Sequence, residues 1–248
     1  MALIKTAKDL QGLRASGGIA ARVRNKLAEA VAPGVTTGEL GEYARDLIEA
    51  EGAESAFLGY RGFPGVICVS VNEEVVHGIP GRRRIRLGDV VSIDVGVRYE
   101  GYVGDTATTV MVGVTDHDVV RLVRAAQSSL EAAVKMARAR GRVSDISHAI
   151  EQTALAQGCS VVRKFVGHGI GRDMHEEPQV PNFGAKGRGP KLKAGMTLCL
   201  EPMLNLGNCD VEVLADGWTV VTRDRTCSAH FEHMVAVRNG EAEVLSVA

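Results

Sequence analysis

Ile85-Arg86-Leu87-Gly88-Asp89-Val90-Val91-Ser92-Ile93-Asp94 is answered 107 positions later by Leu192-Lys193-Ala194-Gly195-Met196-Thr197-Leu198-Cys199-Leu200-Glu201. Each stretch passes from a basic residue and a glycine into an apolar run, and each ends on an acid. Such runs read as strands buried on at least one face, where an unpaired carboxylate costs on the order of several kcal/mol. Asp94 and Glu201 therefore need a partner, and the spacing makes them counterparts in a duplicated chain. Shorter echoes pair Val35-Thr36 with Val143-Ser144, Gly52 with Gly158, and His77-Gly78-Ile79 with His168-Gly169-Ile170. The expected fold is α+β: one domain over 1–248, with halves of about 1–112 and 113–248 related by a pseudo-twofold axis. An antiparallel sheet core, outer helices and a site on the axis complete it.

The periodicities fill in that frame. Residues 7–31 follow a possible Thr6 cap with Leu10, Leu13, Val23, Leu27 and Val31 at helical spacings, and Pro33-Gly34 stops the run. Thr36 and Glu39 form a capping box before the stripe Leu40, Tyr43, Ala44, Leu47, Ile48. Strands are expected at 66–71, 89–98 and 102–112, helices at 117–140 and 144–157, then strands at 160–166, 196–204, 210–214, 218–222 and 229–238. A two-residue turn at Tyr99-Glu100 would set Asp94 directly opposite Asp105, and facing like charges are destabilising unless a cation sits between them.

Composition narrows the function to a local site. A formal net charge of -1 and a pI of about 6.7 provide no field that would select nucleic acid, membrane or a polyanionic partner. Met1-Ala2-Leu3-Ile4-Lys5-Thr6 lacks the apolar core of a signal peptide, so a cytoplasmic protein is expected, and a monomer. Cys68, Cys159, Cys199, Cys209 and Cys227 are widely spaced with no C-x-x-C pair, which points to reduced thiols rather than disulfides or a thiolate zinc site.

Glu232, opening Glu232-His233-Met234-Val235-Ala236-Val237, is a further acid at the head of an apolar run. Asp94, Asp105, Glu201 and Glu232 with His168 make four carboxylates and one imidazole. Carboxylates can bridge, so the set suits two divalent ions, which polarise a carbonyl and generate hydroxide near neutral pH. The competing reading gives each acid its own ion pair, but few Lys or Arg lie within these runs to serve. His168 and His175 stand seven apart in Gly167-His168-Gly169-Ile170-Gly171-Arg172-Asp173-Met174-His175, where glycines let backbone approach a ligand. His117 and His148 are assigned no role.

Asn72-Glu73-Glu74-Val75-Val76-His77-Gly78-Ile79-Pro80, Ser92-Ile93-Asp94-Val95-Gly96, Gly104-Asp105-Thr106-Ala107, Gly167-His168-Gly169-Ile170-Gly171, Met174-His175-Glu176-Glu177-Pro178, Leu200-Glu201-Pro202-Met203 and Ser228-Ala229-His230-Phe231-Glu232-His233 closely resemble type I methionine aminopeptidases. The resemblance runs over essentially the whole chain. It implies the pita-bread fold and removal of the initiator methionine from nascent proteins and peptides, preferably before a small second residue. It makes Asp94, Asp105, His168, Glu201 and Glu232 the ligands of two divalent ions (Co, Mn, Fe(II), Zn or Ni), with Asp105 and Glu232 bridging and the substrate α-amine bound beside Asp94. Glu201 would shuttle the proton, His175 would stabilise the oxyanion and His77 would contact the substrate. Tyr60, Phe63, Cys68 and Trp218 would surround the methionine side chain, although plain core packing competes for Tyr60 and Trp218. Asn72 and Ser228 match positions that help hold a monovalent cation in relatives.

Two positions depart from the common bacterial pattern: Phe57 stands where cysteine is frequent and Met174 where phenylalanine is. The basic, glycine-rich stretch 184–193 reads as a solvated connection, and a transient ribosome contact is plausible for such an enzyme. Xaa-Pro aminopeptidases and prolidases share the fold but normally carry an N-terminal domain, whereas this chain begins at its first catalytic helix. Type II methionine enzymes insert a helical subdomain, for which the 25 residues between His175 and Glu201 leave no room. A non-catalytic binding protein on this fold would have lost ligands, and none is lost here.

Overall fold

Thr6 accepts the Asp9 N–H while Asp9 accepts the Thr6 N–H, which starts α1 (Ala7–Ala30). Thr36 and Glu39 repeat the box ahead of α2 (Thr37–Ala50). The structure is a computed structural model in which residues 4–248 are described. After β1 (Glu54–Ser55) and a 3₁₀ turn at Tyr60–Gly62 come β2 (Cys68–Val71), β3 (Glu74–Val76) and a hairpin of β4 (Val90–Tyr99) and β5 (Tyr102–Met111). The second half opens with α3 (His117–Met136) and α4 (Val143–Ala156), then β6 (Ser160–Val161), β7 (Gly167–Gly169), β8 (Glu176–Val180) and β9 (Thr197–Leu200). It continues with β10 (Met203–Asn205), β11 (Val211–Val213), β12 (Val220–Thr222), β13 (Ser228–His230), β14 (His233–Ala236) and β15 (Glu243–Val244). No helix among the described residues is long and apolar enough to cross a membrane.

The halves are built alike, down to single backbone hydrogen bonds. Gly34 N–H donates to Ile85 O and Ile85 N–H to Val35 O; Arg140 N–H donates to Leu192 O and Leu192 N–H to Gly141 O. Gly88 and Val112 close the base of the first hairpin as Gly195 and Val237 close the second. β4 is therefore the counterpart of β9, β5 of β14, and Asp94 of Glu201. The halves meet where β5 runs beside the head of β14: Glu232 N–H donates to Ala107 O (3.0 Å), Thr106 Oγ1 to Glu232 O (2.8 Å) and Thr109 Oγ1 to His230 O (2.6 Å). α1 and α2 cover the outer face of the first sheet over Val91, Ile93, Val95 and Val97, and α3 and α4 cover Leu198, Leu200, Val235 and Val237 of the second.

Several expectations shift. The β4–β5 turn is Glu100-Gly101, one residue later than expected, because Tyr99 pairs with Tyr102 and the two residues between take positive φ of 49° and 79°, which glycine supplies at no steric cost. Asp94 consequently faces Ala107, and Asp105 faces Gly96; the acids are diagonal neighbours on one face rather than directly opposed. The His-Gly-Ile echo is coincidental. Register places Ser70 on β2, not His77, at the position of His168 on β7, and Gly78 lies one strand further out, accepting from Val69 N–H. The N-cap equivalent to Thr36 is Arg142, so the Val143-Ser144 echo is out of step. The 196–204 run breaks after Leu200, where Pro202 has no N–H to donate, and the 229–238 run breaks at Phe231-Glu232; α3 ends at Met136 because Ala139 turns to pair with Arg238.

α1 lies so close to β5 that a Cβ on Gly104 would meet the Ser16 carbonyl at 2.3 Å. Gly104→Ala should destabilise by about 1–3 kcal/mol through overpacking. Its melt should drop by about 2–4 °C for each of those kcal/mol, and an unchanged Tm would show that α1 rides away freely.

Candidate metal centre and active-site cleft

β4, β5, β7 and the breaks after β9 and β13 each deliver one acid or histidine to a cleft of about 260 Å³ on the seam between the halves. Pleating decides the delivery: Ile93 and Val95 turn to the helices, so Asp94 between them faces inward, and Asp105 shares that face two positions diagonally on β5. Glu201 and Glu232 come from the strand breaks in the second half, and His168 from β7, paired with Cys199. Asp105, Glu232 and His168 are buried, while Asp94 and Glu201 keep some surface towards the cleft. All five proposed ligands line the same cavity.

The electrostatics are those of a site short of positive charge. Burial pushes the Asp94 carboxyl up to about 7. Burial, reinforced by neighbouring carboxylates, raises Asp105, Glu201 and Glu232 well above the usual carboxylate range. Burial also depresses the histidines: His77 and His168 to about 4 and His230 to about 3, so these rings are neutral and present a lone pair. His168 Nδ1 lies 3.0 Å from Gly169 O, which can only accept; the hydrogen is therefore on Nδ1, and the lone pair of Nε2 points to Glu201 Oε1 at 3.4 Å.

A metal fits this donor set. Asp94 Oδ1, Asp105 Oδ1, Glu232 Oε1 and His230 Nε2 are buried with no hydrogen-bond partner. Four oxygen-bearing groups and neutral imidazole match the hard-to-borderline divalent ions. Atoms of Asp105, His168, Glu232 and Cys199 lie within 4.8 Å of one another. Cys199 is the odd member: burial and the surrounding carboxylates hold its thiol well above its ordinary value, so it is a protonated neighbour rather than a thiolate.

A wall of aromatic and sulfur groups faces the acids. Phe63 meets Trp218 edge-on at 5.1 Å and Phe57 at 6.5 Å, and Cys68, Met174, Phe165 and Met203 complete the lining. Tyr60 and Trp218 are half-buried with their rings turned into the cleft, and Tyr60 Oη lies 2.8 Å from His175 Nδ1 with the rings stacked. His175 in turn lies against His168, with centroids 4.3 Å apart. His77 holds φ of 60°, a conformation uncommon outside glycine, and packs edge-on against Trp218 and Phe165. His230, to which the sequence pattern assigns no role, is buried in the cleft with Nε2 3.9 Å from Glu201 Oε2, and its place two residues before Glu232 is the signal that marks it. Asn72 and Ser228 are adjacent, Ser228 N–H donating to Asn72 O at 2.8 Å. Residues 185–191 are exposed yet tied to α4, through Gly187 to Asp145 and Arg188 to Ser144, while Leu192 at the end of the stretch is buried in the core. The five cysteines are free.

Residues 11–239 match the model of metallopeptidase family M24. The chain belongs to that family. Within it, the chain is 45% identical over 246 residues to methionine aminopeptidase 1 of Bacillus subtilis, covering 99% of each. It superposes on the crystal structure of methionine aminopeptidase from Thermotoga maritima with a TM-score of 0.98 at 40% identity, covering 100% of each chain. The prolidase of Pyrococcus furiosus shares the fold, at a TM-score of 0.81 and 20% identity, but the chain spans 65% of that protein. These likenesses put the chain in the methionine aminopeptidase branch of the family, with the pita-bread α+β fold and a metal-dependent hydrolase site.

The raised carboxyls and lowered histidines pull stability in opposite directions with pH, and their windows differ. Between about pH 4 and 6.5 the histidines bind fewer protons folded than unfolded, so their contribution grows as pH rises and is complete by pH 7. The acids bind more protons folded than unfolded, so theirs is lost as pH rises through Asp94's value of about 7 and the higher values of the others. The metal-free protein should melt progressively lower from pH 7 to 8.5, and added divalent metal should flatten that slope. A Tm independent of pH across this window without metal would contradict the carboxyl shifts.

Proposed function

We propose that the chain hydrolyses the first peptide bond of peptides and nascent proteins that begin with methionine, preferring a small second residue, and that it works in the cytoplasm. The observation that carries this is a single cleft with two chemically opposite walls. One holds four acids, three of which carry a buried oxygen with no hydrogen-bond partner; the other is an aromatic and sulfur surface of the kind a polarizable thioether packs on. Asp94, Asp105, His168, Glu201 and Glu232 would hold two divalent ions, Asp105 and Glu232 from the seam between the halves. Bound metal supplies Lewis acidity, which polarises a carbonyl and lowers the pKa of water.

The chain's own groups divide the remaining work. Glu201, at a strand break with a carboxyl held up by burial, takes the proton of the attacking water and returns it to the leaving amine. Tyr60 Oη lies 2.8 Å from His175 Nδ1; with the tyrosine as donor in that pair, the ring hydrogen on Nε2 is free to donate to the developing oxyanion. His77, kept neutral by burial, accepts or donates at the substrate amide beside Trp218. Phe63, Cys68, Trp218, Phe57 and Met174 receive the methionine side chain.

Glu201→Gln should lower turnover by about 10² to 10⁴, the usual worth of a positioned acid–base group, with the fold kept by circular dichroism; near-wild-type turnover would remove Glu201 from the mechanism. Metal-loaded protein should release methionine from Met-Ala-Ser and leave Xaa-Pro peptides intact, and the reverse preference would move it to the prolidase reading. Chelation should abolish activity and lower Tm, since the acids are then left with one another.

A further inference from the structure

The cleft's rim carries a cation that neither the metal centre nor the methionine wall uses. Arg61 lines the cleft, and among the described residues that do so it is the one Lys or Arg. Its backbone holds φ 50° and ψ 23°, a left-handed conformation adopted by roughly a few per cent of non-glycine residues. The turn that holds it is closed at both ends, Gly59 N–H donating to Phe63 O at 2.8 Å and Phe63 N–H to Tyr60 O at 2.9 Å. The guanidinium sits over the Tyr60 ring, 5.3 Å from its centroid, and makes no ion pair among the described residues. A rigid turn thus presents an unpaired, exposed guanidinium beside the site where a peptide must leave the cleft.

We propose that Arg61 determines specificity downstream of the scissile bond by engaging a carboxylate at the third residue of the substrate. The assignment rests on the peptidase reading above, which puts His175 at the scissile carbonyl. From there the stack steps outward from His175 to Tyr60 (5.5 Å) and from Tyr60 to Arg61 (5.3 Å). At about 3.3 Å per residue, that path is about three residues of extended peptide, which the backbone as far as the third residue and the reach of its carboxylate cover together. A guanidinium matches a carboxylate bidentately, and one already stacked on an aromatic face loses less freedom when it does so. The carboxylate can be a Glu or Asp side chain or the C-terminus of a tripeptide.

The test compares kcat/KM of metal-loaded wild type, Arg61→Gln and Arg61→Lys on Met-Ala-Glu-amide, Met-Ala-Gln-amide and Met-Ala-Gln with a free C-terminus. Wild type should prefer a carboxylate-bearing peptide over Met-Ala-Gln-amide by about two- to fivefold at low salt, the scale of an exposed ion pair. The preference should shrink towards one in 1 M salt, where the screening length is about 3 Å. Arg61→Gln should abolish it and Arg61→Lys should restore part of it, and whichever carboxylate shows the effect names its source. Equal rates in wild type, or a preference that survives in Arg61→Gln, would overturn the assignment while leaving the peptidase reading intact. Failure to cleave any peptide of the panel would overturn both.

Discussion

Everything else in this fold is arranged around four carboxylates brought together out of water. Placed this close in a low-dielectric seam they repel one another, and desolvation penalises each charge, so the arrangement is tenable with protons or with cations and not bare. The scaffold tolerates it because the backbone around the acids is fully engaged. Glu232 is pinned to β5 through its own N–H and C=O, and Thr109 bonds both the N–H and the carbonyl of His230. Behind them Arg24 reaches Thr106 Oγ1 from α1, a permanent positive charge whose field acts on Glu232 from the side away from the cleft. The acids cannot retreat from one another, and that rigidity is what makes a preformed cation site.

Duplication supplies the scaffold, but not the ligand set. Asp94 and Glu201 occupy equivalent ends of β4 and β9. By the same hairpin registers, Glu232 stands where the first half has Ala107, and Asp105 stands where the second half has His230. Each half thus contributes one acid at the matched position and one at a position the other half fills differently. His168 likewise corresponds to Ser70. A twofold frame thus holds an asymmetric set of donors, and the two sides of the cleft are chemically distinct.

The fold class, the helices and the acids were legible because each obeys a local rule. Capping boxes mark α1 and α2, apolar periodicity marks the helix faces, and an acid inside an apolar run declares itself by its cost. What was not legible depends on geometry between strands. The diagonal placement of Asp94 and Asp105 hangs on a one-residue choice of turn, settled by which residues can take positive φ. β7 and β8 carry glycine and proline in place of β-branched runs, so their pairing around His168 is a tertiary effect without a local signature. The loss of the His-Gly-Ile echo shows the limit of short motifs, since three matching residues say nothing about which strand lies between them. His230 was hidden for a related reason: only the break between β13 and β14 turns it and Glu232 towards the same cavity.

The aromatic and sulfur wall of the cleft follows from the same close packing. Gly96, opposite Asp105, lies under the Phe57 ring, where a Cβ would come within 2.3 Å of the ring. Phe57 therefore rests directly on the strand that presents Asp94, and its bulk fills space beside the acids. Met174, buried against the same cluster, occupies its place with a flexible, unbranched chain. The large ring is thus fixed against backbone and the adaptable side chain sits next to His175. The wall is rigid beside Asp94 and Asp105 and compliant beside His175.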